Sequence, residues 1–233
     1  MSNVNYNVSK KYKCDVSVAV INYNRFKYID RAIRSCLDQN LSFKTHEVIV
    51  VDDHSTDKSI DYISQQKYLK NYLKIFKNKT NKGVGYCSNL AVKKSNGKYF
   101  MRVDSDDFLN RSAIEIMTEL LNNNPNYGYV YCDHIRTDEF GFKTEVVKLD
   151  TKKKLYQHGA GILFRTELIK KVGNYNVKFR EAEDHELLLR LNKVCKGFHL
   201  PLPLYRYYIH DDNISKSGNR KKYENLIKRK KFR

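Results

Sequence analysis

Residues 16–25 read VSVAVINYNR: five apolar positions in the first six, then an abrupt polar cluster. A run of this kind fits a strand covered on both faces, as in parallel sheets whose crossover helices lie above and below. Downstream, Tyr28, Ile29, Ala32, Ile33, Cys36 and Leu37 recur at helical spacing, and EVIVV at 47–51 is a second buried strand. These three pieces make a βαβ unit. The alternation continues with a helix over Thr56–Gln66, a strand over Tyr72–Phe76, a helix over Gly83–Ser95 and a strand over Lys98–Val103. Strands and helices of these lengths predict an α/β fold with a doubly wound, mostly parallel central sheet.

Ligands of such sheets bind beyond the carboxyl ends of the strands. That is where the polar clusters fall: NYNR (22–25), DDHSTD (52–57) and DSDD (104–107). Past the last cluster, Ser112 and Glu115 have capping-box spacing for a helix starting near Arg111 with Ile114, Met117 and Leu121 inward. Residues 127–149 read as strands with a hairpin at Gly141, Thr166–Val172 and Glu183–Val194 as helices, and FHLPLPLYRYYI (198–209) as a final apolar segment. A single domain over 1–214 is expected, with a nucleotide-binding front at about 14–110 and a strand-rich acceptor-side part at about 111–214.

With 233 residues, 41% hydrophobic and only 3 Pro and 10 Gly, the chain can bury a sizeable core. No apolar run approaches the roughly 20 residues of a membrane span, and the first residues lack a signal-peptide core, so a cytoplasmic protein is expected. Five scattered cysteines, none in CxxC spacing, read as core thiols. The formal charge is +18, and residues 215–233 carry nine Lys/Arg against one acid. That basic tail suits a dock on an anionic membrane, with Tyr223, Leu226 and Ile227 as a short apolar stripe, or else a solvated terminus.

Three carboxylates in DSDD repel one another unless something positive joins them. Asp and Ser also suit a turn ahead of a helix. An EF-hand register fails because Phe108 and Leu109 stand at positions five and six. A hard divalent cation held by one or two carboxylates, with water and a substrate diphosphate completing its shell, accounts for the cluster. A sugar nucleotidyltransferase would need glycine after the first strand, where NYNRFK has none; a nucleic-acid binder would suit the charge but leaves the strand-end acids without a role.

The segments VSVAVINYNR (16–25), VIVVDDHSTDKS (48–59), NKGVGYCSNLAVKKSNGKYFMRVDSDDFL (81–109), GAGILFRTELIKKVGNYN (159–176), EDHELLLRL (183–191) and YRYYIHDDNISKS (205–217) together resemble the family 2 glycosyltransferases of the GT-A type. The resemblance implies an inverting, metal-assisted transfer of a sugar from a nucleotide-diphosphate donor, UDP-linked, to a glycan, lipid-linked or protein acceptor in surface polysaccharide, lipopolysaccharide or other glycoconjugate synthesis. It makes Asp104-Ser105-Asp106 the DXD motif, with Asp106 the direct metal ligand and Asp104 on the ribose or reaching the metal through water. His210 falls where relatives place a histidine near the metal, which is Mn²⁺ or Mg²⁺. Asp52, with Asp53 as neighbour, would hold the nucleobase, flanked by Asn22, Tyr23 and Asn24. Gly83 and Asn89 match nucleotide-sugar positions. Asp184 would be the general base and Glu183 its companion; Asp107 is assigned to the following helix cap. No nucleic-acid partner is implied.

Overall fold

The computed structural model describes residues 12–42, 44–66, 69, 72–149, 159–211, 213, 222, 223, 225 and 226. Six helices and nine strands are formed among them: β1 (Cys14–Asn22), α1 (Ile29–Leu37), β2 (His46–Asp52), α2 (Ser59–Gln65), β3 (Leu73–Lys77), α3 (Val84–Lys94), β4 (Gly97–Asp104), β5 (Phe108–Leu109), α4 (Ala113–Asn123), β6 (Tyr127–Thr137), β7 (Lys143–Val147), β8 (Ile162–Arg165), α5 (Thr166–Lys171), α6 (Glu183–Leu191) and β9 (Lys196–Tyr208). The sheet runs β3-β2-β1-β4-β8-β6-β9-β5, with β7 paired to β6. From β3 to β4 every pairing is parallel, and β8 is the antiparallel joint to the second half.

The strand period of two explains the unbroken apolar run of β1. Val16, Val18 and Val20 enter one core with α1 and α4, while Ala19 and Ile21 enter the other with α3 and α6. The register then aligns the strand ends. Asn22 stands opposite Asp52, and Ile21 opposite Asp104, so all three polar clusters emerge at one level of the sheet.

Three local expectations change. Ser112 makes no side-chain cap at α4, and Glu115 instead accepts from Ser42 Oγ at 2.8 Å, tying α4 to the loop after α1. Asp107 does not cap that helix either. Its side chain is buried and accepts from Tyr205 Oη at 2.8 Å and from the Tyr208 N–H at 2.9 Å, so it latches the DSDD turn to β9. The 198–209 segment is part of a 13-residue strand parallel to β6. Its two prolines fit because the β6 register shifts around Asp133, where Cys132 pairs with Leu200 and Asp133 with Pro203.

The hairpin at Gly141 forms as expected between β6 and β7. Cys14, Cys36, Cys87 and Cys132 are buried and Cys195 partly so. Most of the 215–233 tail, Ile227 included, lies outside the described residues; Tyr223 packs on Phe179 with ring centroids 6.2 Å apart. No helix among the described residues is long and apolar enough to cross a membrane.

Candidate active site

A cavity of about 720 Å³ opens over the carboxyl ends of β1, β2 and β4. Its sheet side carries Tyr23, Arg25, Asp53, Gly83, Arg102, Asp104, Ser105 and Asp106; its far side carries Glu183 and Asp184 from the first turn of α6, with Gly159 and Ala160 beside them. The widely separated DXD and Glu-Asp segments therefore meet across one space.

Asp106 is gripped from two sides. Arg25 Nε and His210 Nε2 each donate to Asp106 Oδ2 at 2.9 Å. Burial pushes this carboxyl up, but the hydrogen bonds from His210 and Arg25 outweigh it and hold the group below the usual carboxylate range. His210 is itself oriented: its backbone N–H donates to Asn213 Oδ1 at 2.6 Å, and its ring stacks on Tyr208 at 4.9 Å. Asp104 goes the other way, because burial and the nearby Asp106 and Asp184 charges raise it against the pull of Arg102.

Arg102 joins the two walls. It lies on the same face of β4 as Asp104, two residues on, and is only 7% exposed. Its Nη1 donates to Glu183 Oε1 at 2.7 Å and its Nε lies 3.5 Å from Asp104 Oδ1. Burial nonetheless pushes the Glu183 carboxyl up to about 7, with Asp184 adding to the rise. Asp184 Oδ1 accepts its neighbour's His185 N–H at 2.7 Å. Gly159 packs so closely on Asp184 that a Cβ at position 159 would lie 2.5 Å from Asp184 Cβ.

At the β2 end, neighbouring aspartates part company. Asp52 is fully buried away from the cavity: Oδ1 accepts from Asn22 Nδ2 at 2.8 Å and from Ser55 Oγ, and Oδ2 accepts the Ser55 N–H at 3.0 Å. Asp53 is the one that lines the cavity, and its Oδ2 accepts the Gly83 N–H at 2.7 Å. Gly83 has φ +86, which a side chain rarely adopts, and this lets the loop present that N–H ahead of α3.

Asn22, Asn24 and Asn89 do not line the cavity. Asn22 is buried and also donates to Ser59 Oγ at 2.9 Å. Asn24 sits at φ +52, and its Oδ1 accepts the Thr56 N–H at 2.8 Å, closing the two loops on each other. Asn89 exchanges two 2.8 Å hydrogen bonds with the Tyr175 backbone, fixing a ring whose centre lies 5.8 Å from the Arg102 guanidinium. Sequence reasoning singled out neither Arg25 nor Arg102. The second had a signal, an arginine alone inside an apolar strand.

Among the described residues no group of three or more His, Cys, Asp and Glu is arranged as a ready metal cage. The donor set of Asp104, Asp106 and His210 still suits a hard divalent cation that keeps its other positions for phosphate and water. A positive charge there would also offset the burial, and the repulsion from Asp106 and Asp184, that raise Asp104.

The fold and cleft define a GT-A nucleotide-diphospho-sugar transferase architecture. Residues 17–173 match the family model described as glycosyl transferase family 2, and the chain belongs to that family. It is 28% identical to a chondroitin synthase of Escherichia coli over 86% of this chain and 30% of that one. A hyaluronan synthase of Pasteurella multocida is 29% identical over 89% of this chain and 22% of its own. The chain thus spans about a third or less of those two relatives, but 82% of a Haemophilus influenzae glycosyltransferase to which it is 28% identical. Among solved structures, S. aureus TarS in complex with UDP-GlcNAc superposes with a TM-score of 0.77 at 22% identity, over 91% of this chain and 65% of that one. A mannosyltransferase of Pyrobaculum calidifontis in complex with GDP-Man and Mn²⁺ gives 0.69 at 17% identity, over 87% and 59%.

Proposed function

We propose that this chain transfers a sugar from a UDP-linked donor to an acceptor hydroxyl, with inversion, in the synthesis of surface polysaccharide, lipopolysaccharide or a related glycoconjugate. The observation that carries this reading is the meeting of Asp104 and Asp106 with Glu183 and Asp184 across one cavity. The chondroitin and hyaluronan synthase relatives and the UDP-GlcNAc held by TarS support a polysaccharide product and a UDP donor.

The nucleoside end lies over β1 and β2, where Tyr23, 47% exposed at the cavity edge, offers a ring for the base. Asp53 rather than Asp52 takes the base contact, because Asp52 has no oxygen facing the cavity. An acceptor-only carboxylate suits an imide N–H such as uracil's. The diphosphate lies by Asp104, Ser105 and Asp106, with Arg25 at hand. A divalent cation, Mn²⁺ or Mg²⁺, held by Asp106 with Asp104 and His210, would supply positive charge to the diphosphate leaving group. Across the cavity, Asp184 takes the acceptor hydroxyl's proton as that oxygen bonds to the anomeric carbon. The bond from that carbon to the diphosphate oxygen breaks, and its electron pair leaves with the nucleoside diphosphate. Arg102 and Glu183 position the base rather than touch the reacting atoms.

The test is a screen of nucleotide sugars for thermal stabilisation and metal-dependent hydrolysis, repeated with Asp106→Ala and Asp184→Asn. A UDP-sugar should raise the melting temperature of the wild type. Asp106→Ala should lose that response, while Asp184→Asn should keep it and lose transfer. A folded protein that answers to no nucleotide sugar with Mn²⁺ or Mg²⁺ present would overturn the proposal.

A further inference from the structure

The turn between β6 and β7 carries two phenylalanines that neither the core nor the cleft uses. Phe140 is 74% exposed and Phe142 71%, the highest values among the large hydrophobic residues described. The turn beneath them is firmly built. Asp138 Oδ1 accepts the N–H groups of Phe140 at 3.0 Å and Phe142 at 2.9 Å, and the Gly141 N–H donates to the Asp138 carbonyl at 3.1 Å. Gly141, at φ +90, is seated on the Arg31–Phe108 stack: a Cβ there would come within 3.0 Å of Arg31 Nη1 and 3.2 Å of Phe108 Cζ. With its centre pinned to the body and its carboxylate turned inward, the turn leaves an apolar pair in water, a costly arrangement unless something covers it.

We propose that this tip enters the headgroup–acyl boundary of an anionic lipid bilayer. The formal charge of +18 draws the chain to such a surface. The hairpin itself is balanced, with Arg136, Lys143 and Lys148 against Asp138, Glu139 and Glu145, so its own contribution is apolar and resists salt. Arg136 is paired with Glu145 at 2.6 Å and Asp138 Oδ1 is taken up by the turn's own N–H groups, so the exposed charges at the tip itself are Glu139 and Lys143, one of each sign. The side-chain type is compatible with this: a phenyl ring carries no polar group that entry into the acyl boundary would strip of water. Arg136, Val147 and Leu149 of the same hairpin line the cavity, so insertion would turn that end of the cleft toward the membrane. This inference does not depend on the reaction proposed above.

The test is flotation of the full chain with vesicles of phosphatidylcholine, alone or mixed with phosphatidylglycerol, at low and high salt. Phe140→Ser/Phe142→Ser keeps the charge and alters only exposed side chains. It should bind mixed vesicles about tenfold or more less tightly, with the deficit persisting at high salt. Because the chain has no tryptophan, Phe142→Trp supplies a single reporter whose emission should shift to the blue on mixed vesicles and be quenched by brominated lipid. Wild-type vesicle affinity in the double variant, or an unshifted tryptophan, overturns the proposal. So does a tip that answers instead to soluble oligosaccharide, or whose loss abolishes self-association and leaves vesicle binding intact.

Discussion

Gly159→Ala tests whether the placement of Asp184 governs turnover. The added methyl would overlap Asp184 Oδ2 outright and lie 2.5 Å from Asp184 Cβ, where ordinary contact begins at 3.4 Å, so the aspartate or the loop must give by about 1 Å or more. A reacting group displaced by about 1 Å from near-attack geometry loses on the order of 10²-fold in rate, or about 2.7 kcal/mol in the barrier. The measurement is kcat for sugar transfer with the donor identified by the nucleotide-sugar screen, beside donor affinity by calorimetry. Turnover should fall about 100-fold while donor affinity holds, because Gly159 stands beside Asp184 and not beside Asp53 or Asp106. Combined with Asp184→Asn, the substitution should add little. A folded Gly159→Ala protein turning over within about threefold of the wild type would refute the reasoning, as would full additivity of the two changes.

Arg102→Met strands Glu183 and Asp104 without their shared cation, and denaturant unfolding should show a loss of about 3–5 kcal/mol, partly recovered by adding Glu183→Gln; a loss below about 1 kcal/mol would show the pairing to be dispensable. Tyr205→Phe removes the hydroxyl that donates to Asp107 and accepts the Asp104 N–H, so about 1–3 kcal/mol should disappear from the unfolding free energy. Burial holds the His134 imidazole down at about 4, with Arg136 pushing the same way. The imidazole is therefore neutral in the fold but takes up a proton in the unfolded chain below about 6.5. Its contribution is complete above that pH and is lost as the pH falls toward 4, about 3 kcal/mol in all. His134→Gln should flatten stability over that window; an unchanged slope would assign it to other groups.

The parallel half of the fold was legible because covered strands have no alternative reading: VSVAVI and EVIVV must be apolar on both faces, and their polar ends must gather at one rim. The residues within each polar cluster were harder to sort. Successive side chains in a strand point to opposite faces, so Asp52 and Asp53 carry the same chemistry in sequence and opposite fates in space. The choice turned on Ser55, three residues on in the same loop, and on Asn22, which only the β1–β2 register brings opposite Asp52; together they draw it inward. The Ser112–Glu115 spacing misled because Ser42 from another loop offered Glu115 a better partner. β9 was opaque because Pro201 and Pro203 argue against a strand, and only the register shift in β6 makes room for them. Arg102 could have been found from its position two residues before Asp104, on the same side of a strand that is otherwise buried.

Among the described residues, the guanidinium of Arg102 is a counter-ion that carboxylates on the two walls of the cavity, Asp104 and Glu183, hold in common. Neither half of the pocket can therefore drift independently: exchanging Glu183 for a neutral residue hands Asp104 an undivided cation, and exchanging Asp104 does the same for Glu183. Tolerated changes at these positions should come in pairs, and on the function proposed above a redesign of acceptor preference near Glu183 should register first as altered grip on the donor.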